Sequence, residues 1–322
     1  MLKIKINIKI LPTIGVAIIS SLLIAGGFIW FAKTTRAEGD ALPYQYEIAE
    51  QSPDLTVEPG QPGWLVVKLK NTGREAWPIQ QLSLNSVYFD GTPNRPSYFA
   101  TTEWIDQMKI LAESTPGRDI VPPHSTATFS IPIKAVDVPA IYQEAFNLQI
   151  GPDIVTGGMI KWLIQVGNTL NYQVNSGKQI QIWLSTQRLW AIENGVVIMA
   201  IPISSGRAGY GTPKGHYTVL NHKDTAYSAP YKLWMDYWMG LDRNNDWGKN
   251  GIGLHALPYW HTRQTKYASG TVVDGRLYQD GKVYEDVNHL GERMSHGCVR
   301  MGLDTARILY NWAPKGTPVT VA

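Results

Sequence analysis

The feature that most limits the fold is the recurrence of short apolar runs separated by turns. Residues 54–167 contain about seven such runs, several of which alternate apolar and polar residues with the period of two that half-buried strands show. The chain of 322 residues includes 30 glycines and 20 prolines, which interrupt it too often for long helices. The clearest runs are residues 64–70, 127–133, 145–150 and 159–166. The sequence therefore predicts a mainly β protein.

The length favours two folded units, because a single compact domain usually holds fewer residues. Residues 54–167 are predicted to form an antiparallel β-sandwich. Residues 168–322, with a core at 178–322, are predicted to form a second, mostly β unit with short helices. Residues 38–53 are polar and lack periodicity, which favours a linker.

A short segment within the first unit carries a family resemblance. Residues 69–78, with Asn71, Gly73 and Trp77, resemble the Asn-x-Gly-x-x-x-Trp corner of immunoglobulin-like modules on bacterial surface proteins. The resemblance implies an immunoglobulin-like sandwich of unknown partner. We interpret it as a spacer and packing unit, with a binding module as the alternative.

The N-terminus predicts export. Residues 10–32 contain no charged side chain and are long enough to span a hydrocarbon core, for which about 20 apolar residues suffice. Three lysines precede the run, so residues 1–37 are predicted to start in the cytoplasm and to form a transmembrane helix, with the rest of the chain on the cell-wall side. A cleaved signal with Thr35 and Ala37 at its cleavage site, which would give a secreted protein, is the alternative.

The charge balance argues against nucleic-acid binding. The chain has 29 basic and 26 acidic side chains, for a net charge of +3. Residues 1–37 contain five of the basic side chains and no acidic one, so the remainder carries 24 basic and 26 acidic groups. Since the excess of positive charge belongs to the N-terminal segment, nucleic acid is not a predicted partner.

The second unit shows its local structure plainly. Asn194-Gly195 predicts a tight hairpin turn between two strand patterns. Asp304 is predicted to cap a short helix that ends before Pro314. The remaining predicted strands are residues 179–184, 188–192, 196–203 and 319–321.

The chemistry is predicted to centre on Cys298, the only cysteine in the chain. A free thiol has a pKa near 8.5, and a neighbouring imidazole can raise the thiolate fraction or remove the proton during attack. His255 follows a short apolar strand and is the predicted base, while His296 is predicted to shape the loop or tune the thiolate. Gly297 allows a tight turn that would aim N–H groups at an oxyanion, and Arg300 is suited to hold a substrate carboxylate.

These residues resemble the L,D-transpeptidase catalytic domain of the YkuD type. The resemblance rests on His255 and on Ser295-His296-Gly297-Cys298-Val299-Arg300, and it extends to Ser205-Gly206, to residues 212–215 and to residues 316–319. It covers about residues 178–322. It implies that Cys298 attacks a peptidoglycan stem peptide, releases the terminal D-alanine and passes the acyl group to an amine, which gives a 3→3 cross-link. Such acyl transfer requires no cofactor.

Other interpretations of the same residues stay open. The thioester could pass to water or to a different amine, which would make the enzyme an L,D-carboxypeptidase or another acyl transferase. A wall-binding surface protein with a vestigial catalytic unit is the non-enzymatic alternative. Ser295 could orient the backbone instead of the substrate, and Arg300 could pair only with Asp304. Zinc is not predicted, because no fourth ligand stands at a suitable spacing.

The segment between His255 and Ser295 is longer than in many relatives. Residues 259–290, here called the insertion, contain several aromatic side chains and two turn signals, Asp274-Gly275 and Asp280-Gly281. They are predicted to form a β-hairpin that covers the site and excludes water from the acyl-enzyme, with a hairpin remote from the site as the alternative.

Overall fold

The computed structural model describes residues 42–113, 117–168, 177–242, 251–262 and 266–322. The membrane anchor or signal predicted in residues 1–37 lies outside these ranges. Within them, no helix is long and apolar enough to cross a membrane. The described part of the chain is mainly β, as the sequence predicts.

Residues 42–168 contribute the strands β1 (Tyr46–Gln51), β2 (Leu55–Val57), β3 (Pro62–Asn71), β4 (Trp77–Pro78), β5 (Leu82–Ser86), β6 (Lys109–Leu111), β7 (Ile120–Val121), β8 (Thr126–Lys134), β9 (Ala140–Ile150), β10 (Asp153–Ile154) and β11 (Ile160–Val166). A 3-10 turn spans Ile79–Gln81. Each of the four apolar runs singled out in the sequence lies within or overlaps one of the longer strands.

Residues 177–322 contribute β12 (Lys178–Trp183), β13 (Arg188–Glu193), β14 (Val196–Pro202), β15 (Gly215–Ser228), β16 (Leu233–Asp242), β17 (Gly253–Ala256), β18 (Tyr259–His261), β19 (Thr271–Val273), β20 (Arg276–Gln279), β21 (Lys282–Tyr284), β22 (Val299–Met301) and β23 (Pro318–Val321). The helix α1 spans Leu303–Trp312, and a 3-10 turn spans Val287–His289.

The first part packs two sheets around one core. β3 lies between β1 and β8 in an antiparallel sheet, while β5, β9, β11 and β2 pair within the second sheet. Along β3, Leu65, Val67 and Leu69 are fully buried, whereas Trp64 is 55% exposed. This alternation places one face of the strand in the core. Apolar side chains of both sheets form one buried cluster, which is the packing expected of a sandwich. An immunoglobulin-like strand order stays a prediction.

Asn71 stabilises the corner that the sequence singled out. Its side-chain amide donates to the carbonyl oxygens of Glu75 at 2.8 Å and Val121 at 3.0 Å, and its carbonyl accepts the N–H of Gly73 at 3.0 Å. The indole of Trp77 is fully buried. The polar side chain therefore satisfies backbone groups that a turn would otherwise leave unpaired.

Part of the predicted linker is a strand, so that prediction is wrong over the length of β1. β1 pairs with β3 from Tyr46 opposite Asn71 to Gln51 opposite Val67. Only Tyr46 is buried on it, and the other five side chains are exposed. An edge strand with this burial pattern needs few apolar residues, which explains why its polar composition suggested a linker.

The strands of the second part form a closed barrel. β12, β13 and β14 form an antiparallel run, and Ser204, just beyond β14, bridges to Arg300 of β22. β22 pairs with β17, β17 with β16, β16 with β15, β15 with β23, and β23 with β12. Their inward-facing side chains and one face of α1 form a second buried cluster. β17 and β22 are therefore central strands with a neighbour on each side.

The two parts share one continuous sheet. β14 pairs in parallel with β9 through Val196 opposite Ile141 and Val197 opposite Tyr142. Trp190 of the second part packs in the first core, and Tyr88 of the first part packs in the second. The boundary predicted at residue 168 stays a prediction, but packing and strand pairing both continue across it.

Three two-residue turns follow the Asx-Gly pattern of the sequence. Asn194-Gly195 joins β13 to β14, Asp274-Gly275 joins β19 to β20, and Asp280-Gly281 joins β20 to β21. All six residues have positive φ, between 48° and 81°. This is the geometry that a type I′ hairpin requires. The prediction of turns at these sites is confirmed, and the insertion is a small antiparallel sheet.

The predicted cap of α1 is wrong by two residues. The N-cap is Gly302, and Asp304 lies in the first helical turn, where its negative charge faces the positive end of the helix dipole. The hydroxyl of Thr305 donates to the carbonyl oxygen of Gly302 at 2.9 Å. The helix ends at Trp312, before Pro314, as predicted.

Candidate active site

The strand that carries the predicted base pairs with the strand that begins immediately after the predicted nucleophile. β17 and β22 pair so that Leu254 lies opposite Val299 and His255 opposite Arg300. Side chains alternate between the two faces of a strand, and residues opposite each other share a face. Cys298 immediately precedes β22, in the loop that leads into that strand. Residues far apart in sequence thus lie on, or at the end of, neighbouring strands.

The thiol of Cys298 lies against the start of β17. Its Sγ is 3.9 Å from the carbonyl oxygen of Gly251, and the residue is only partly buried. Surrounding protein raises the pKa of the thiol above its ordinary range, while a hydrogen bond with the backbone of Gly253 and the charge of Arg300 act in the opposite direction. The resting nucleophile is therefore a neutral thiol that needs a base.

His255, opposite Arg300 on the neighbouring strand, is buried and neutral. The residue is 2% exposed, and its Nδ1 lies 2.6 Å from the carbonyl oxygen of Ala256. A carbonyl only accepts hydrogen bonds, so Nδ1 carries the proton and the neutral ring keeps its lone pair on Nε2. Burial lowers the pKa of His255 to about 3, and the charge of Arg300 acts in the same direction. The imidazole stacks on Trp238, with ring centroids 5.7 Å apart.

Ser295 shapes the loop that carries the nucleophile. It is fully buried; its hydroxyl donates to the carbonyl oxygen of Cys298 at 2.5 Å and accepts the N–H of Gly297 at 3.0 Å. These contacts support the backbone-orienting role that the sequence left open. They also occupy the Gly297 N–H, which the sequence offered as an oxyanion donor. That expectation is therefore wrong for Gly297 in this conformation.

Gly297 is required by the local backbone. Its φ is +118°, a region that L side chains rarely adopt. Its carbonyl oxygen accepts a hydrogen bond from the hydroxyl of Thr212 at 2.9 Å, and that same hydroxyl accepts the N–H of Gly206 at 2.9 Å. Segment 212–215, which extended the family resemblance, thus holds the nucleophile loop from the opposite side.

His296 lies among groups other than the thiol. Its Nε2 is 2.6 Å from Nη2 of Arg207, and its ring packs against Tyr210 and Tyr231 with centroids 4.6 Å and 4.4 Å away. Since a guanidinium only donates, Nε2 accepts and the ring is neutral. Limited burial and the charges of Arg207 and Arg300 lower the pKa of His296. These contacts fit a residue that shapes the loop.

Arg300 has an unforeseen partner. Its Nη1 lies 2.8 Å from each carboxylate oxygen of Glu285, which belongs to the insertion. The alternative pairing with Asp304 is wrong, because the Asp304 carboxylate lies 3.9 Å from Nε of Arg307. The predicted role of Arg300 in holding a substrate carboxylate stays a prediction, and in this structure a carboxylate of the protein itself is bound there.

Sequence reasoning missed the residues that surround the predicted ones. Trp238, Glu285 and Arg207 contact His255, Arg300 and His296 respectively, yet none stands near its partner in sequence. Of these three residues, only Glu285 could have been suspected from the sequence, because it lies in the insertion, and a segment between the predicted base and nucleophile must emerge near both. Among the described residues, no three His, Cys, Asp or Glu side chains are arranged to hold a metal ion.

Comparison with known proteins identifies the family of the second part. Residues 177–321 match the YkuD family, described as the L,D-transpeptidase catalytic domain. These residues therefore form an L,D-transpeptidase catalytic domain of the YkuD type, which confirms the resemblance seen in the motif. The match leaves the preceding sandwich unassigned.

Individual relatives carry the same family name. YciB of Bacillus subtilis (strain 168), named as an L,D-transpeptidase, is 25% identical over 155 residues, which cover 45% of this chain and 68% of that protein. An L,D-transpeptidase structure from Stackebrandtia nassauensis is 27% identical and covers 47% of this chain, with a TM-score of 0.32; the chain spans 58% of its length. An L,D-transpeptidase from Mycobacterium smegmatis is 15% identical, with 86% and 99% of the two chains covered and a TM-score of 0.34.

Proposed function

We propose that this chain is an exported peptidoglycan L,D-transpeptidase in which Cys298 is the nucleophile and His255 the general base. The observation that supports the proposal is the parallel pairing of β17 with β22, because His255 lies on β17 and Cys298 immediately precedes β22. The family of residues 177–321 supports the reaction class. The substrate class, a stem peptide ending in D-alanine, follows from the family resemblance of the motif.

The first step is acylation of Cys298. As Sγ attacks the carbonyl carbon of the third stem residue, Nε2 of His255 takes the thiol proton, and a C–S bond forms. The neutral resting states of both groups favour this concerted proton transfer over a preformed thiolate–imidazolium pair. The N–H of Cys298 remains as the proposed donor to the oxyanion, since the N–H of Gly297 is occupied.

Collapse of the tetrahedral adduct breaks the C–N bond to D-alanine. The proton held by His255 passes to the leaving nitrogen, so D-alanine departs as an amine and a thioester remains. The amine of a second stem peptide then attacks the thioester, gives its proton to His255 and forms the 3→3 amide. The C–S bond breaks as this amide forms, His255 returns the proton to Sγ and the thiol is regenerated, so that no cofactor enters the balance.

The acceptor decides between this function and its nearest alternative. If water resolved the thioester, the same residues would make the protein an L,D-carboxypeptidase. The test is incubation of the purified protein with disaccharide-tetrapeptides, followed by mass spectrometry. We expect D-alanine and cross-linked dimers, and mainly tripeptide would indicate hydrolysis. Cys298→Ala should release no D-alanine, and release at the wild-type rate would refute the mechanism.

The location is a separate part of the proposal. We propose that residues 10–32 anchor the protein in the cell membrane, with the catalytic domain on the cell-wall side, because the run is uncharged and follows three lysines. The test is extraction of membranes with alkaline carbonate. Retention of the full-length chain in the pellet is expected, and release of a shortened chain would support the cleaved signal instead.

A further inference from the structure

The contact between Glu285 and Arg300 joins the insertion to the active site. Both side chains are largely buried, at 17% and 8% exposure, and both carboxylate oxygens lie 2.8 Å from Nη1. The backbone N–H and C=O of Arg300 both bond to Ser204, so the main chain at Arg300 is fixed. Its Nε is buried without a hydrogen-bond partner among the described residues. Glu285 therefore supplies the main polar restraint on the guanidinium.

Glu285 is itself held in place by the packing of the insertion. Its N–H donates to the carbonyl oxygen of Pro258 at 2.8 Å. Immediately before it, the hydroxyl of Tyr284 and the ammonium of Lys282 donate to the Asp236 carboxylate on β16, at 3.0 Å and 2.9 Å. Because β21 is fastened to β16 in this way, the carboxylate of Glu285 reaches Arg300 from a fixed backbone.

The charge of Arg300 acts on every titratable group of the reacting face. It helps to lower the pKa values of His255 and His296, and it opposes the rise that burial causes in the pKa of Cys298. The other charged or titratable groups around them are Arg207, which contacts His296, and His289, whose Nδ1 lies 3.5 Å from Glu285. A carboxylate bound to a guanidinium opposes the field of the guanidinium at a distance. Glu285 is thus paired with a cation whose charge acts on both Cys298 and His255, and its own charge opposes that action.

We propose that Glu285 is a positioning residue of the active site: it fixes the Arg300 guanidinium and offsets its charge beside Cys298 and His255. The inference rests on the proposed function only in taking Cys298 as the nucleophile. It gives the insertion a role in the chemistry of the strand pair, separate from any role as a cover. A residue that served only to stabilise the fold would leave the titration of the thiol unchanged.

The test measures the rate of iodoacetamide alkylation of Cys298 against pH, which reports the apparent pKa of the thiol without any substrate. Glu285→Gln leaves the charge of Arg300 uncompensated, so we expect the thiol pKa to fall by about one unit. Arg300→Gln leaves the carboxylate unpaired, so the thiol pKa should rise. Glu285→Gln combined with Arg300→Gln removes both charges and should return the value close to that of the wild type.

The matched control is Glu292→Gln, an exposed carboxylate just beyond the insertion, which should not move the titration. If Glu285→Gln does not fold, as judged by thermal denaturation, Glu285→Asp takes its place. Its shorter side chain keeps the charge but loses contact, so the pKa should fall by a smaller amount. An unchanged thiol pKa in whichever folded variant is measured, or a rise, would overturn the proposal.

A second readout separates this role from substrate binding. With the tetrapeptide substrate, Glu285→Gln should lower kcat for D-alanine release and leave KM nearly constant, because the positioning role acts on the charge beside the reacting groups and not on substrate binding. A lower KM with an unchanged thiol pKa would mean that Glu285 competes with a substrate carboxylate for Arg300, and would refute the positioning role. Failure of the proposed function would appear differently, as D-alanine release by Cys298→Ala, and the thiol titration would still be interpretable.

Discussion

The strand pair β17–β22 and the insertion both contribute to the candidate site, but different interactions hold them in place. The strand pair is buried in the second core, with neighbours on both sides. Backbone pairing fixes where His255 lies, and side-chain hydrogen bonds of Ser295 and Thr212 hold the loop that carries Cys298. The insertion is half-exposed and is fastened to the body by a few polar contacts around Asp236, and it reaches the site through a single carboxylate. The comparison suggests that the pair supplies the reacting groups, whereas the insertion adjusts their charge.

The largest expected effect tests the strand pair directly. His255→Ala should lower the rate of D-alanine release by a factor of about 10² to 10⁴, the usual contribution of a positioned general base. His216→Ala is the control, because His216 is an exposed histidine on β15, which is separated from β17 by β16. The measurement is a single-turnover assay of D-alanine. A loss of less than tenfold in folded His255→Ala would show that the pair does not supply the base.

A second prediction concerns the packing that supports the nucleophile loop. A Cβ at Gly206 would lie 2.1 Å from the carbonyl oxygen of Tyr210 and 2.5 Å from the N of Thr212, both of them backbone atoms. We expect Gly206→Ala to lower the free energy of unfolding by about 2–3 kcal/mol, since the backbone must shift. Gly211→Ala in the same segment meets nothing within 4 Å and should change stability little. Denaturant unfolding compares the two, and equal midpoints would contradict the prediction.

The sequence could predict the strand pair better than the insertion for a physical reason. Ser295-His296-Gly297-Cys298 and His255 are identifiable in the sequence because each adjoins a short apolar strand segment, although only the structure shows that those strands, β22 and β17, are paired. The Asx-Gly turns were equally readable, because type I′ geometry requires those residues. The pairing of Glu285 with Arg300 depends on where a half-exposed sheet settles, and no local pattern encodes that. β1 is likewise an edge strand with one buried side chain, so its polar composition carries no strand pattern and predicts a linker.

Deleting the insertion would not by itself test whether this segment covers the active site. A linker in place of residues 262–288 would remove Glu285 together with Lys282 and Tyr284, so it would disturb Arg300 as well as any cover. Loss of D-alanine release in such a variant would be explained by the uncompensated charge of Arg300, without any loss of a cover. The cover stays a prediction, and its test needs variants that retain β21.

A third prediction uses pH and concerns the buried base of the strand pair. Because the folded pKa of His255 is depressed to about 3, the unfolded chain binds a proton below its ordinary pKa of about 6.5 that the folded chain does not. Stability conferred by the neutral ring is therefore present above pH 6.5 and lost as the pH falls. Between pH 7 and pH 5 we expect a loss of about 2 kcal/mol from this residue.

Denaturant unfolding at both pH values checks this expectation. His255→Gln should lose less stability between pH 7 and pH 5 than the wild type does, while His216→Gln should behave as the wild type. The same depressed pKa keeps the base neutral, so single-turnover D-alanine release should show no ascending limb near pH 6.5. An ascending limb at that pH would contradict the assignment of His255 as a buried neutral base.

The smallest expected effect lies at the attachment of the insertion. Asp236 accepts hydrogen bonds from Thr225 at 2.6 Å, Lys282 at 2.9 Å and Tyr284 at 3.0 Å. Asp236→Asn keeps the shape but removes the charge, so we expect a global loss of only about 1 kcal/mol. The local consequence should be larger than the global one, because these bonds fasten β21 to β16. Hydrogen exchange should therefore quicken at β19, β20 and β21, while β17 and β22 keep their protection.

Asp224→Asn provides the control, since Asp224 is an acidic residue on β15 whose carboxylate accepts the hydroxyl of Tyr310 away from the insertion. It should leave exchange in the insertion unchanged. If Asp236→Asn quickened exchange equally in β17 and β22, the insertion and the strand pair would open as one unit, and the distinction drawn between them would fail. If exchange quickened only in the insertion, the thiol pKa of Asp236→Asn should also shift toward the value in Glu285→Gln, because Glu285 would no longer be held against Arg300.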